Sequence, residues 1–381
     1  MRSLAWLAII PVLALVGCTQ IDQRSDDPDK KVLVAIEAPI QIYPKWRVDT
    51  GDGVDRSDVK LLLARSGKNL YTVDTNGHVL ALTEKTGKQI WKTDLNATVS
   101  AGPAVGEGKL IVATNNGKVI AVDLDNGKTA WVSTSTSEIL ATPKIAENVV
   151  LIHTMDGGLS ALSLLDGRQL WRFTHNLPPL MLRRSSTPEV KDDMVFAGFA
   201  NGKLLALRKN DGSVVWSQDI SHPKGNTDLQ RMVDISADPV IKDDRVYAAS
   251  YQGNIAALTL NNGHLLWERA IPSYSGFALD KNMIYVAATN GDLVALDQQT
   301  GATYWLVTDL QGRRLSRPAV MGKYLIVADD DGIINWIDKS SGKFIGRYEL
   351  DREGVEATPV VDNKTVYILG RSGELIALEV D

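Results

Sequence analysis

A glycine turn set between alternating apolar runs recurs eight times in this chain, at Gly77, Gly117, Gly157, Gly202, Gly253, Gly291, Gly332 and Gly373. Period-two alternation follows it, as in His78-Val79-Leu80-Ala81-Leu82 or Asp292-Leu293-Val294-Ala295-Leu296. Alternation after an Asn-Gly or Asp-Gly pair signals a β-hairpin, because the tight turn needs residues that tolerate positive φ. In six units a Trp falls 14 residues beyond the Gly: Trp91, Trp131, Trp171, Trp216, Trp267 and Trp305. A second turn, such as Thr86-Gly87-Lys88, sits just before it. A Pro falls 14 residues before the Gly at Pro103, Pro143, Pro188, Pro239, Pro318 and Pro359. Each unit therefore reads as strands A to D, with the Pro near A and the Trp on D. Four short antiparallel strands in about 40 residues describe a propeller blade.

The two ends predict how the ring closes. After Gly373, residues Glu374 to Leu378 supply a strand C, and no strand D follows before Asp381. Tyr43-Pro44-Lys45-Trp46-Arg47-Val48 is a Trp-bearing strand D with no A, B or C before it. Pairing the two fragments completes an eighth blade and hides strand edges that would otherwise recruit other chains. The expected fold is all-β: an eight-bladed propeller of four-stranded antiparallel blades over residues 40–381.

Nine Trp beside only five Phe is an unusual ratio. The repeat accounts for it structurally. A flat side chain at one position of each outer strand, Trp46 included, wedges between neighbouring blades while its N–H reaches a carbonyl. The seventh unit departs from this, with Gly346 in place of the Trp and Asn335-Trp336 in place of the usual Ala-Leu. Trp336 is expected to fill space nearby.

Ahead of the repeats, Arg2 and the apolar run Leu4 to Val16 end in Leu15-Val16-Gly17-Cys18. This resembles the bacterial lipobox, with residues 1–17 a signal peptide and Cys18 becoming the acylated N-terminus. Cys18 is the only cysteine, so neither an intrachain disulfide nor a thiolate metal cluster can form. Several acyl chains would make anchoring effectively permanent. Thr19 stands where lipoproteins of this kind carry Asp when kept in the inner membrane, so outer-membrane attachment facing the periplasm is expected. Residues 18–39 are mostly polar and read as a flexible tether. A formal net charge of −5 gives no electrostatic footprint for nucleic acid.

Length variation in the repeat is confined to the D-to-A connections, and the two longest neighbours are 172–187 and 217–238. In an antiparallel blade these share a face with the B–C turns, so they should emerge side by side. The first carries Leu177-Pro178-Pro179-Leu180-Met181-Leu182-Arg183-Arg184 and the second Asp228-Leu229-Gln230-Arg231-Met232-Val233-Asp234. Apolar anchors beside Arg are the ingredients of a protein-binding hot spot, although Leu180, Leu182 or Met232 could equally cap its own blade. Chemistry is otherwise sparse. The five His make no metal-ligand spacing. Asp329-Asp330-Asp331-Gly332 lacks the alternation of a calcium loop, and His78 and His264 read as turn residues. Arg313, Arg314 and Arg317 read as a solvated patch, with a partner-binding role as the alternative.

The Thr-Gly-Lys-x-x-Trp and Ala-Thr-Pro elements resemble the pyrroloquinoline-quinone (PQQ)-type propeller repeat over residues 40–381. That superfamily includes quinoprotein dehydrogenases, which stack the cofactor beneath adjacent cysteines over a calcium-binding carboxylate pocket. With no cysteine beyond Cys18, no enzyme activity and no cofactor are expected. Lipobox, eight blades and the loop pair together resemble the BamB family, lipoproteins of the outer-membrane β-barrel assembly machinery. The resemblance implies a scaffold that binds the periplasmic POTRA domains of BamA, with unfolded outer-membrane clients as further partners. It further implies that Leu180, Leu182 and Arg183 match the family's Leu-x-Leu-Arg contact loop and Asp234 an acidic contact; Ser236 stands where a second Asp is frequent. An envelope propeller serving a different complex is the other reading left open.

Overall fold

The computed structural model describes residues 28–37, 39–54 and 59–380. The expected signal peptide and the acylated Cys18 lie outside the described residues. Eight four-stranded antiparallel blades follow one another round a ring, and no helix occurs among the described residues. The fourth blade is typical: Glu189–Lys191, Met194–Gly198, Lys203–Arg208 and Val214–Asp219 run from the axis outward. One short extra strand, Lys60–Leu61, pairs in parallel with Val99–Gly106 of the second blade.

Closure is as the termini predict. Ile42–Asp49 is the outer strand of the eighth blade, antiparallel to Glu374–Val380, with Trp46 opposite Ala377. The core lies between blades rather than within one. Phe196, Leu204 and Trp216 of the fourth blade, for example, pack against Val246, Ala248 and Leu258 of the fifth. Each large side chain buried this way contributes on the order of 1.5–3 kcal/mol.

The Trp residues form a repeated clasp. Trp46, Trp91, Trp131, Trp171, Trp216, Trp267 and Trp305 each donate Nε1–H to a carbonyl in the next blade, at 2.6 to 3.0 Å. The indole lies over the next C–D turn. At Gly87 (φ +65°) a Cβ would stand 2.6 Å from Trp46 Cε3, so both the backbone conformation and the ring require glycine. The Gly and the Trp of the Thr-Gly-Lys-x-x-Trp motif thus serve different interfaces: the Gly receives the preceding blade's indole, and the Trp clasps the following blade.

In the seventh blade the clasp is replaced. Trp336 is fully buried, paired across from Gly346, and joins a cluster with Val366, Ile368 and Ile376 of the eighth blade. Space-filling by Trp336 is therefore confirmed. On the other side, a Cβ on Gly346 would meet Ile40 Cγ1 at 2.8 Å and Ile42 Cδ1 at 3.0 Å. The chain's own N-terminal segment takes the place of the missing indole.

That segment departs from the flexible tether its polarity suggests. Lys30 Nζ reaches Asp331 at 2.6 Å and Asp330 at 3.2 Å, and Lys31 N donates to Gln311 O at 3.0 Å. Leu33 packs against the core between the sixth and seventh blades, Arg347 donates to Val34 O, and Ile40 N donates to Ile345 O at 2.8 Å. Lys30 and Lys31 read as solvated because their acidic and carbonyl partners lie some 300 residues away in sequence.

Candidate functional site

The B–C turns pack against the D-to-A connections, so both occupy one face as the repeat geometry predicts. Gly157 lies against His175 O and Gly202 against Ser221 O. On this face the connections 172–187 and 217–238 are joined directly. Leu182 N donates to Asp234 Oδ1 at 2.8 Å, and Thr187 N donates to Asp238 Oδ1 at 2.6 Å. The second carboxylate also takes Lys60 Nζ at 2.5 Å. Burial opposes ionisation of Asp238, but Lys60 and the Arg317 guanidinium overcome it and hold the carboxyl below its usual range.

The four residues singled out on this face divide into two kinds. Leu180 is 42% exposed, and the Arg183 side chain is 55% exposed, with its guanidinium 2.8 Å from Glu138 Oε2. Leu182 is half-buried. Asp234 is only 1% exposed, between the buried Val233 and Ile235. It therefore holds the backbone of the Leu180–Arg183 loop rather than facing outward. Burial pushes its carboxyl up to about 6, a shift that the bond from Leu182 N only partly offsets. Its Oδ2 has no hydrogen-bond partner among the described residues. Met232 is buried.

The Arg cluster is not the solvated patch that its sequence suggests. Arg313 is buried, pairing with Asp329 at 3.0 Å and Asp331 at 2.7 Å. Asp329 is itself fully buried, and that burial pushes its carboxyl up to about 6 although Arg313 pulls it down. Arg317 donates Nε–H to Phe277 O at 2.9 Å, and Arg314, exposed, lies 3.3 Å from Asp330. The Asp-Asp-Asp turn is the B–C turn of the seventh blade, into which this connection leads, so folding of that blade brings the partners together.

One titratable group escaped sequence reasoning. Asp52, Asp74 and His78 offer ligand atoms within 4.8 Å of one another. His78 Nδ1 already meets Asp74 Oδ2 at 2.8 Å, and Asp52 N donates to the same oxygen at 3.2 Å. Mutual satisfaction across a turn is consistent with His78 as a turn residue. Asp52 gave no signal because it comes from the opposite end of the repeat register. Glu138, the partner of Arg183, was equally silent, lying 45 residues away in another connection.

A family model for outer membrane protein assembly factor BamB matches residues 75–307 and 306–381. A protein of that name from Alkalilimnicola ehrlichii is 46% identical over 376 residues, covering 99% of this chain and 97% of the relative. The Pseudomonas aeruginosa protein of that name is 44% identical, covering 97% and 96%, and that of Escherichia coli is 31% identical, covering 99% of each. The crystal structure of BamB from Moraxella catarrhalis superposes with a TM-score of 0.82 at 22% identity, over 89% of this chain and all of that one. A quinohemoprotein alcohol dehydrogenase from Pseudomonas putida shares the fold at 14% identity and a TM-score of 0.74, over 92% of this chain and 78% of its own. On the family match and on near full-length identity above the level of chance resemblance, the chain belongs to the BamB family.

Proposed function

We propose that this chain is a scaffold lipoprotein of the outer-membrane β-barrel assembly machinery, anchored through Cys18 and facing the periplasm. It binds the POTRA domains of BamA and carries no catalytic centre. The relatives' name, outer membrane protein assembly factor, supports the assembly role. One observation supports the binding site above the others: the connections 172–187 and 217–238 are fastened together by Asp234, and the fastened loop leaves Leu180 exposed beside Arg183. An ordered loop presents an apolar anchor at little entropic cost on binding. Leu180 and the outer part of Leu182 would fill an apolar patch on the partner, while Arg183 exchanges Glu138 for a partner carboxylate or carbonyl. Asp234 acts through the loop backbone.

The test is capture. Leu180→Asp combined with Arg183→Ala should abolish co-purification with BamA from detergent extracts while the thermal midpoint stays within a few degrees of the parent's. Undiminished capture refutes the site. A non-enzymatic role is supported by the single cysteine, and titration with PQQ and calcium should give no binding heat.

A further inference from the structure

The axial mouth on the loop face opens into a cavity of about 540 Å³, a size typical of sites that hold a ligand. Its charge differs from that of the chain. Among the described residues the lining has six cationic residues, Lys60, Arg183, Arg184, Arg314, Arg317 and Arg371, against three acidic ones, Asp238, Asp330 and Glu356. The whole chain carries a formal net charge of −5. A concave site walled by protein concentrates that local surplus into a field that draws anions in.

Each acidic group in the lining is already matched. Asp238 takes Lys60 at 2.5 Å, Glu356 takes Arg184 at 2.7 Å, and Asp330 takes Lys30 at 3.2 Å and Arg314 at 3.3 Å. Arg317 stands 3.9 Å from Asp238 and spends Nε–H on a carbonyl, so capacity to pair with a further carboxylate remains. The Ser236 hydroxyl, buried and lining the same cavity, has no hydrogen-bond partner among the described residues. Apolar surface alternates with these groups: Leu61, Leu182, Leu315 and Val355 line the walls, and Arg184 lies 5.5 Å over the Tyr274 ring.

We infer that the axial mouth is a second binding site, whose occupant is an acidic peptide segment with carboxylates interspersed among apolar side chains. Arg314 and Arg317 receive its carboxylates, Ser236 donates to one of them, and Leu61, Leu182 and Leu315 cover its apolar side chains. The site adjoins the proposed BamA contact and shares Leu182 and Arg183 with it, but Leu180 lies outside its lining and Arg314, Arg317 and Ser236 take no part in that contact.

The experiment is calorimetric titration of the full chain in detergent with a capped hexapeptide alternating glutamate and leucine, beside the same peptide with glutamine for glutamate. The acidic peptide should bind at least about tenfold more tightly than the neutral one and weaken several-fold between about 50 and 300 mM salt. Arg317→Gln and Arg314→Gln should each weaken it about threefold or more. Arg314 is exposed, so its variant retains the fold even where Arg317→Gln does not. Equal affinity for the two peptides, or unchanged binding in the Arg314 variant, overturns the inference. Citrate binding as tightly as the acidic peptide overturns the peptide as occupant. BamA is absent from the titration, so this result and the capture result stand or fall separately.

Discussion

The outer clasps and the loop face are built on opposite principles. At each clasp an indole, a glycine of positive φ and one carbonyl recur with nearly the same geometry, and every polar atom of the ring finds its partner. On the loop face the B–C turn glycines repeat against connection carbonyls, but the side-chain contacts between connections do not, and those contacts carry a cost. Asp234 and Asp329 are buried carboxyls held well above their ordinary range, and Asp234 Oδ2 and Ser236 Oγ lack hydrogen-bond partners among the described residues. Burying such groups is unfavourable unless they are fully paired. In this molecule the repeated interface supplies stability, and the irregular face retains groups that stability alone would not favour.

The largest expected effect tests the first half of that contrast. Trp216→Ala removes a buried indole and its bond to Leu260 O, and should cost about 3–5 kcal/mol in chemical denaturation. A loss below about 1 kcal/mol would mean that the clasps are not where stability resides.

Asp234→Asn tests the second half, with the opposite sign. Burial holds the Asp234 carboxyl at about 6 in the fold against an ordinary 3.8. Across roughly pH 4–6 the folded chain therefore binds more protons than the unfolded chain, and the parent loses stability as pH rises through that window. The Asn variant can still accept from Leu182 N and avoids the charge. It should be more stable than the parent at pH 7 by on the order of 1–3 kcal/mol and indistinguishable from it below about pH 4. Should the variant be less stable at pH 7, the carboxylate is not a liability and the contrast fails. Weakened BamA capture by this stabilised variant would show what the charge is retained for.

Smaller effects sharpen the picture at the seventh blade, where the clasp is improvised. Ile40→Ala should cost about 1 kcal/mol or somewhat more, since Ile40 is partly exposed. Lys30→Ala should cost less than about 1 kcal/mol, with increased hydrogen exchange at Lys31. Exchange at Lys31 that does not change with either substitution would argue that the segment is held by other contacts.

How far the fold could be read from sequence follows from the same contrast. Blade number, closure by Trp46, the indole positions and the adjacency of the two long connections all come from strict spacing, which is a local signal. The burial of Arg313 was hidden because its partners Asp329 and Asp331 arrive from the next blade. The inward position of Asp234 had a readable signal in its neighbours Met232, Val233 and Ile235, all apolar and all buried. A charge in such a run is more readily a strut than a contact. Docking of residues 29–37, 39 and 40 had none, because lysines and a few aliphatics look alike whether solvated or strapped to a distant blade.

Under the proposed acylation of Cys18, that strap shortens the leash to the bilayer. With Lys30 held at the seventh blade, only about a dozen residues separate the blade from Cys18, a reach of roughly 40 Å at full extension. A protein moored by its extreme tip would swing freely. One moored at a fixed point on its circumference rolls within a short radius, so its loop face meets the surroundings from a restricted set of angles.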